Sequence, residues 1–477
     1  MSAALLQKRE IGVDRDPHRP RARLCSSRAA CTLCPSFSFL SSHSPHPLLP
    51  LSFATQFYER CCEEQKLLPK EALVTQLQKL ADEDKPVAAL QLKKLDLSNR
   101  RDAYTIAELV RANPFLTQLS LQETQLGNAG AAMIIKALLA RKTIRTLDLS
   151  YNGLERDAFK HVEELVGSCP ALVSLDITGN FCNSSLPTLA PLLGRDSVNM
   201  ALLRMGDCDV DAKGMAALCD GLKANRCLRN LHLGDSVMDV QLIMPLAAVL
   251  AADTTLTSLD LRYNALGDQG AASLATALRS NKKLVSLVLW GNEIHEEGIA
   301  SIGRMLNINK TLKSLDIGLN PIGVEGANSL SAALADGISL SVLGLAQTSL
   351  EDEGVQAIGK YLSSDAASSL LRIDLRRNGM KMGAFTVLHE AMQTNKTLCV
   401  MALAAPDDPP AEDPKELQLR KAIDEACKTN LKANKEVQAR RKAREERAVS
   451  VGRQSVVVEV DEQKPETMSY ANDDRYG

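Results

Sequence analysis

With 477 residues, 45% of them hydrophobic and 24% charged, the chain has the balance of an ordinary soluble globular protein. A formal net charge of −2 argues against a nucleic-acid footprint spread over the whole chain, and no apolar run approaches the ~20 residues that span a bilayer. Only 3% of the residues are aromatic, so the apolar load points to many small packing units and not to one aromatic-anchored core.

Residues 1–56 show no structural logic shared with the rest. From Pro35 to Phe53, every residue except His43 and His46 is Pro, Ser, Phe or Leu. Those four amino acids can be encoded by pyrimidines alone, so the stretch reads as a translated polypyrimidine tract, with Gln56 fitting a CAG acceptor. It is expected to be disordered and a gene-model artefact. A transit peptide is disfavoured by Glu10, Asp14 and Asp16. A zinc site from Cys25, Cys31 and Cys34 lacks the second cysteine pair that such sites need.

Residues 57–91 form the next expected element, an N-terminal helical cap. Tyr58–Asp84 is amphipathic, with Leu73, Leu77 and Leu80 on one face.

The pattern L-x-x-L-x-L then recurs, starting at Leu92, Leu116, Ile144, Leu172, Met200, Leu228, Leu256, Leu284, Leu312, Leu340, Leu370 and Leu398. Leu116 to Leu340 is 224 residues, eight intervals of 28. Leu256–Asn281 shows what one unit builds. Leu259 and Leu261 flank Asp260 as a short strand with one buried face. Asn264 can bond the backbone of the turn that follows, and Gly270 lets the chain approach closely. Ala271, Leu274, Ala275 and Leu278 then fall at helical spacing. The Asn position recurs at Asn152, Asn180, Asn292, Asn320 and Asn378.

Strand, turn and helix cannot bury both apolar sides alone, so the units must stack. The expected fold class is α/β: a leucine-rich-repeat horseshoe solenoid over residues 92–404, of about 12 repeats of 28 residues. A parallel sheet lines its concave face and helices its convex face. A 28-residue period with a full helix looks like the ribonuclease-inhibitor-like class of these repeats.

A Pro/Asp linker at 405–413 follows, then a charged helix over 414–448 opened by Asp413, Pro414 and Glu416. Leu417, Ile423, Cys427 and Leu431 are expected to dock on the last repeat, and Arg440–Arg447 to stay solvated. Residues 449–477 read as a disordered tail.

No phosphate-binding loop, nucleophile elbow or His-x-x-x-His pair occurs, and His161, His232, His295 and His389 stand isolated in the sequence. No catalytic residue, cofactor or metal is expected. The 12 cysteines do not read as a disulfide set, the seven from Cys169 to Cys427 being scattered without paired spacing, which favours a reducing compartment, cytoplasm or nucleus.

Between the strand leucines stand Asp96, Asp148, Asp176, Asp260, Asp316 and Asp374, either an acidic stripe that steers a basic partner or a repeat consensus. Arg262, Trp290 and Arg376 follow in the next column, with Tyr263, Arg372 and Arg377 beside them. Trp, Tyr and Arg dominate interface hot spots. The expected protein-binding concave face is therefore Arg262, Tyr263, Trp290, Arg372, Arg376 and Arg377 with Asp260, Asp316 and Asp374.

Leu287-Val288-Leu289-Trp290-Gly291-Asn292, Asn320-Pro321-Ile322-Gly323-Val324-Glu325-Gly326, Leu343-Gly344-Leu345-Ala346-Gln347-Thr348 and Asp374-Leu375-Arg376-Arg377-Asn378 stand in successive repeats. Together with Ala422–Leu431, these segments resemble the protein phosphatase 1 regulatory subunit 37 family of leucine-rich-repeat proteins. The resemblance runs from about Tyr58 to Val437, with its distinctive motifs confined to the second half. It implies a partner, the protein phosphatase 1 catalytic subunit, bound and inhibited through a docking motif of a basic residue, Val, any residue and Phe. None of the eight Phe residues, nor Trp290, completes that motif here.

The expected function is a non-catalytic protein-binding scaffold acting as a monomer, without nucleic-acid or membrane partners. A Ran GTPase-activating protein is one alternative, set against by the basic Arg440–Arg447 where an acidic run would stand. A cytoskeletal or flagellar repeat protein is the other.

Overall fold

The computed structural model describes residues 53–83, 86–252, 254–335, 339–408 and 413–450, all within one unit, Leu49–Gly477. The readings of residues before Phe53, including Cys25, Cys31 and Cys34, and of the tail after Ser450 lie outside the described residues.

One buried side chain flanked by two facing the other way makes a strand of three residues. Twelve form: β1 Ala89–Gln91, β2 Gln118–Ser120, β3 Thr146–Asp148, β4 Ser174–Asp176, β5 Leu202–Arg204 and β6 Asn230–His232. They continue as β7 Ser258–Asp260, β8 Ser286–Val288, β9 Ser314–Asp316, β10 Val342–Gly344, β11 Arg372–Asp374 and β12 Val400–Ala402. They pair in parallel, each with the next in sequence, as one twelve-stranded sheet. The register lines up the central residues, Leu90 on Leu119 on Leu147 and so on to Ile373 on Met401. All of that line except Met401 is buried.

Three boundaries differ from the expectation: helix Phe53–Gln65 begins inside the 1–56 stretch expected to be disordered, helix Pro414–Ser450 runs two residues past 448, and the first repeat starts early. Leu90 pairs with Leu119, and Leu92 N donates to Ser120 O at 2.8 Å. The first repeat's motif is therefore Val87, Leu90 and Leu92, five residues ahead of the expected start at Leu92. Leu95-Asp96-Leu97 imitates the pattern but follows the strand, beyond a left-handed turn at Lys94 (φ 60°). Asp96 is accordingly exposed and outside the strand column.

Each strand is joined to the next by a segment that is helical in most repeats and packs on one side of the sheet. In Gly267–Leu278, Ala271, Leu274, Ala275 and Leu278 are buried, the i, i+3, i+4, i+7 stripe of a half-buried helix.

Two ladders of asparagine satisfy the turns. Asn320 accepts from Asn292 N and Ile294 N of the preceding repeat at 2.8 and 3.0 Å. It donates to Leu289 O, Ile317 O and Gly318 O at 2.9, 2.8 and 3.0 Å. Asn152, Asn180, Asn264 and Asn378 do the same in their own repeats. The second ladder, unread in the sequence, runs near the helix C-termini. Asn225, Asn281, Asn309 and Asn395 donate to Leu193 O, Leu250 O, Leu278 O and Leu362 O, at 2.6 to 2.9 Å. Buried backbone groups that lie outside regular hydrogen bonding are thereby paired.

At the front, helices Phe53–Gln65 and Glu71–Asp82 bury Tyr58, Cys62, Leu73 and Leu77, with Leu80 half-buried. At the back, helix Pro414–Ser450 lays Ile423, Cys427 and Asn430 against the last repeat. Asn430 Nδ2 donates to Asn395 O and Leu398 O at 3.1 and 2.9 Å, extending the second ladder by one rung. Arg420 lies over the Phe385 ring, 4.7 Å from its centroid. Leu417 and Leu431 remain 40% and 36% exposed, contrary to the expected docking of both. The docked stripe is 423, 427, 430 and 434; Leu431 sits about 100° round from Asn430, and Leu417 precedes the first docked turn.

Candidate protein-binding face

The side chains flanking each buried strand leucine, and the residue after the second leucine, line the sheet face turned away from the helices. On this face the carboxylates behave differently from an open acidic stripe. Asp260, Asp316 and Asp374 are 5%, 3% and 7% exposed. Each accepts from the backbone N–H two residues on, at Arg262, Gly318 and Arg376, at 3.0 to 3.1 Å. Asp148 and Asp176 make the same turn bond to Ser150 and Thr178. Where it occurs, the acid caps the turn that leaves the strand, a structural reason for its recurrence apart from any partner.

Two of these carboxylates are also paired with guanidinium. Arg262 Nε donates to both oxygens of Asp260 at 3.1 and 2.8 Å, and Arg376 Nε to both oxygens of Asp374 at 2.9 and 3.1 Å. His232 Nδ1 stands 3.4 Å from Asp260 Oδ2 on the other side. Burial alone would push the Asp260 carboxyl up; the His232 and Arg262 hydrogen bonds outweigh it and hold the group at about 2. A depressed folded-state value gives stability that is present above the ordinary carboxylate range and is lost as pH falls through about 2. Acid titration of the wild type should therefore lose about 2 kcal/mol at this site between pH ~4 and ~2. In Asp260→Asn that part of the slope should vanish from urea-unfolding curves. An unchanged slope would show that the carboxylate is not the titrating group.

Arg262 and Trp290 stand one repeat apart in one column, and each lies across a glycine of a neighbouring repeat. A Cβ on Gly318 would stand 2.2 Å from Trp290 Cζ3, and one on Gly234 would stand 2.7 Å from Arg262 Cγ. Both large side chains thus lie over the sheet face where a neighbour has vacated the space. Trp290 is half-buried. Tyr263 holds a left-handed turn (φ 51°) beside it, donates its N–H to Trp290 O at 2.7 Å, and rests its ring over Gly291 with Leu319 close by.

Arg262, Tyr263 and Trp290 therefore come together in adjacent repeats. Arg372 and Arg376 form a second group over β11, three strands away. Arg377 belongs to neither. Its left-handed backbone (φ 56°) aims it at Asp407 and Asp408 in the segment after the last strand. Arg204 and His232, which occupy the Asp position in β5 and β6, were missed. Counting 28 residues on from Asp176, and 28 again, would have found both.

The nine described cysteines are free thiols, eight of them buried. Burial pushes those of Cys61, Cys219 and Cys427 up to about 11. Among the described residues no His, Cys, Asp and Glu groups of three or more are placed to hold a metal ion, and no helix is long and apolar enough to cross a membrane.

Residues 112–134, 252–275 and 309–331 match the family model described as Leucine Rich repeat. The chain is 27% identical over 128 residues to the ribonuclease inhibitor of Sus scrofa, covering 26% of this chain and 28% of that protein. It is 25% identical over 162 residues to protein NLRC5 of Mus musculus, covering 30% of this chain and 8% of the other. It thus spans less than a third of either relative's length. Among solved structures, the leucine-rich repeat-containing protein LegL7 from Legionella pneumophila aligns with a TM-score of 0.44 at 17% identity, over 70% of this chain and 97% of that one. An internalin from Listeria monocytogenes aligns with a TM-score of 0.39 at 16% identity, over 78% of this chain and 100% of that one. With twelve parallel strands stacked in sequence order and the repeat's family model matched in three places, the chain is a solenoid of leucine-rich repeats.

Proposed function

We propose that this chain is a non-catalytic scaffold that binds a protein partner on its concave face, with Arg262, Tyr263 and Trp290 as the anchor. The observation that carries the reading is Trp290. It is the only Trp in the chain, and it lies half-buried over Gly318 on a face the core does not need. A large ring already seated there loses little freedom on binding and offers apolar area to a partner.

Trp290→Ala is expected to weaken partner binding about 30-fold or more, the cost of truncating an interface hot spot. Thermal stability should stay nearly unchanged, as for a surface substitution. Binding by titration calorimetry beside a melting curve decides it; a large fall in melting temperature with binding intact would mark Trp290 as packed structure.

The narrower form of this reading, a regulatory or inhibitory subunit of protein phosphatase 1, is supported by the family resemblance of the second half alone. Pull-down of the phosphatase catalytic subunit by the full chain, with phosphatase activity assayed, tests it. No capture would remove the phosphatase and leave the scaffold standing.

A further inference from the structure

We infer that the C-terminal end of the concave face, from Trp290 to β12, takes an extended acidic-aliphatic segment of a partner protein, one carboxylate of which is held by Arg372. The inference rests on the concave-face reading above and names its ligand chemistry. A hollow of about 210 Å³ opens over β10 to β12. Its floor is Val342, Gly344, Val400 and Ala402, and Arg372 and Arg376 stand on it.

The floor is a local departure from the repeat. The register aligns Val342 and Val400 with Ser258, Ser286 and Ser314, and Gly344 and Ala402 with Asp260, Asp316 and Asp374. The polar pattern of β7 and β9 is thus replaced by apolar or small side chains on either side of β11. Val342 and Val400 remain half-exposed there, and the leucine line beneath is already filled.

Of the three charged residues that line the hollow, Asp374 and Arg376 pair with each other, which leaves Arg372. Asp374 is satisfied by Arg376 and by its own turn, and Asp316, leaning over Gly344, accepts from Gly318 N. Arg372 makes no ion pair among the described residues. A guanidinium beside two valines fits a carboxylate with aliphatic neighbours, because it can hydrogen-bond the acid while the valines cover the apolar part. From β8 to β12 are four strand spacings, ~19 Å, the reach of roughly six extended residues. Trp290 lies at the far end of that span, so one strand-like segment can touch both groups of the site.

The test uses the full chain and its single Trp as reporter. An acetylated, amidated hexapeptide of sequence Ile-Glu-Ala-Glu-Val-Asp is titrated while Trp290 emission is read, beside a counterpart with Lys at the three acidic positions. The acidic peptide should shift the emission saturably and the lysine peptide should not. Arg372→Gln should weaken the acidic peptide about tenfold, a charge-assisted hydrogen bond's worth, with melting temperature unchanged. An equal response to the lysine peptide, or acidic binding indifferent to Arg372→Gln, overturns the inference. So does sedimentation showing a dimer that Arg372→Gln breaks, since a second copy would then be the occupant. A partner that Trp290→Ala loses and Arg372→Gln keeps would leave the scaffold reading intact and sink this one alone.

Discussion

Asn320→Ala is expected to destabilise the solenoid by about 3–5 kcal/mol, read as a fall in the urea midpoint at constant m-value. The amide of Asn320 makes five hydrogen bonds, two accepted and three donated, and the residue is 1% exposed. Alanine orphans Asn292 N and Ile294 N where water does not reach, and each buried unpaired group costs about 1–3 kcal/mol. Aspartate is no rescue, since its second oxygen would face three carbonyls. Threonine should restore part of the loss, because Thr348 fills this rung in the repeat of β10 and donates to Leu345 O at 2.7 Å. Neighbouring repeats stabilise one another, so the transition can also lose cooperativity at the damaged rung. Trp290 emission, one repeat away, followed beside far-UV circular dichroism would then give two midpoints. A loss below ~1 kcal/mol would show that the turn relaxes enough to reach solvent.

The solenoid was legible because one physical constraint repeats. Every 28 residues a strand leucine must meet its neighbour, and a one-residue slip would turn the apolar set outward. That constraint weakens at the first repeat. Val87 and Ala89 are poor markers, and Leu95-Asp96-Leu97 supplies a better leucine pattern five residues too late. Pairing distinguishes the two, and pairing is not local in sequence. The second asparagine ladder was missed for a related reason. Asn225, Asn281, Asn309 and Asn395 look like ordinary polar residues near helix ends until the preceding repeat's carbonyls are placed beside them.

The concave face was half legible. The columns could be counted, so Arg262, Trp290, Arg372 and Arg376 were found, and Arg204 and His232 could have been. Depth could not be counted. An Asp between two leucines reads as surface charge, whereas Asp260, Asp316 and Asp374 are sunk into the turn and hydrogen-bonded. The charge that matters for a partner is what remains after such internal pairing. That moves the expected ligand of the C-terminal end from basic to acidic. Arg377 illustrates the same limit. One residue beyond Arg376, a left-handed φ turns it off the face towards Asp407 and Asp408.

Deleting residues 414–477 is expected to cost the array about 3–6 kcal/mol and to make it prone to associate. The estimate combines the burial of Ile423 and Cys427, at about 1.5–3 kcal/mol for a full-sized apolar side chain, with the two Asn430 hydrogen bonds at about 1 kcal/mol each. Without that helix the last repeat would leave Asn395 O and Leu398 O unpaired by Asn430 and would expose the Phe385 ring that Arg420 covers. A repeat stack needs a polar outer face at its end, and this helix supplies one. Removal of residues 439–477 provides the contrast. It keeps every docked position from Ile423 to Asn434, while Leu431 to Arg440 are exposed apart from Asn434. That shorter deletion should leave the melting temperature within about 1 °C of the full chain. If the longer deletion melts with the full chain, the helix is an appendage; if the shorter one falls with it, the distal half is packed.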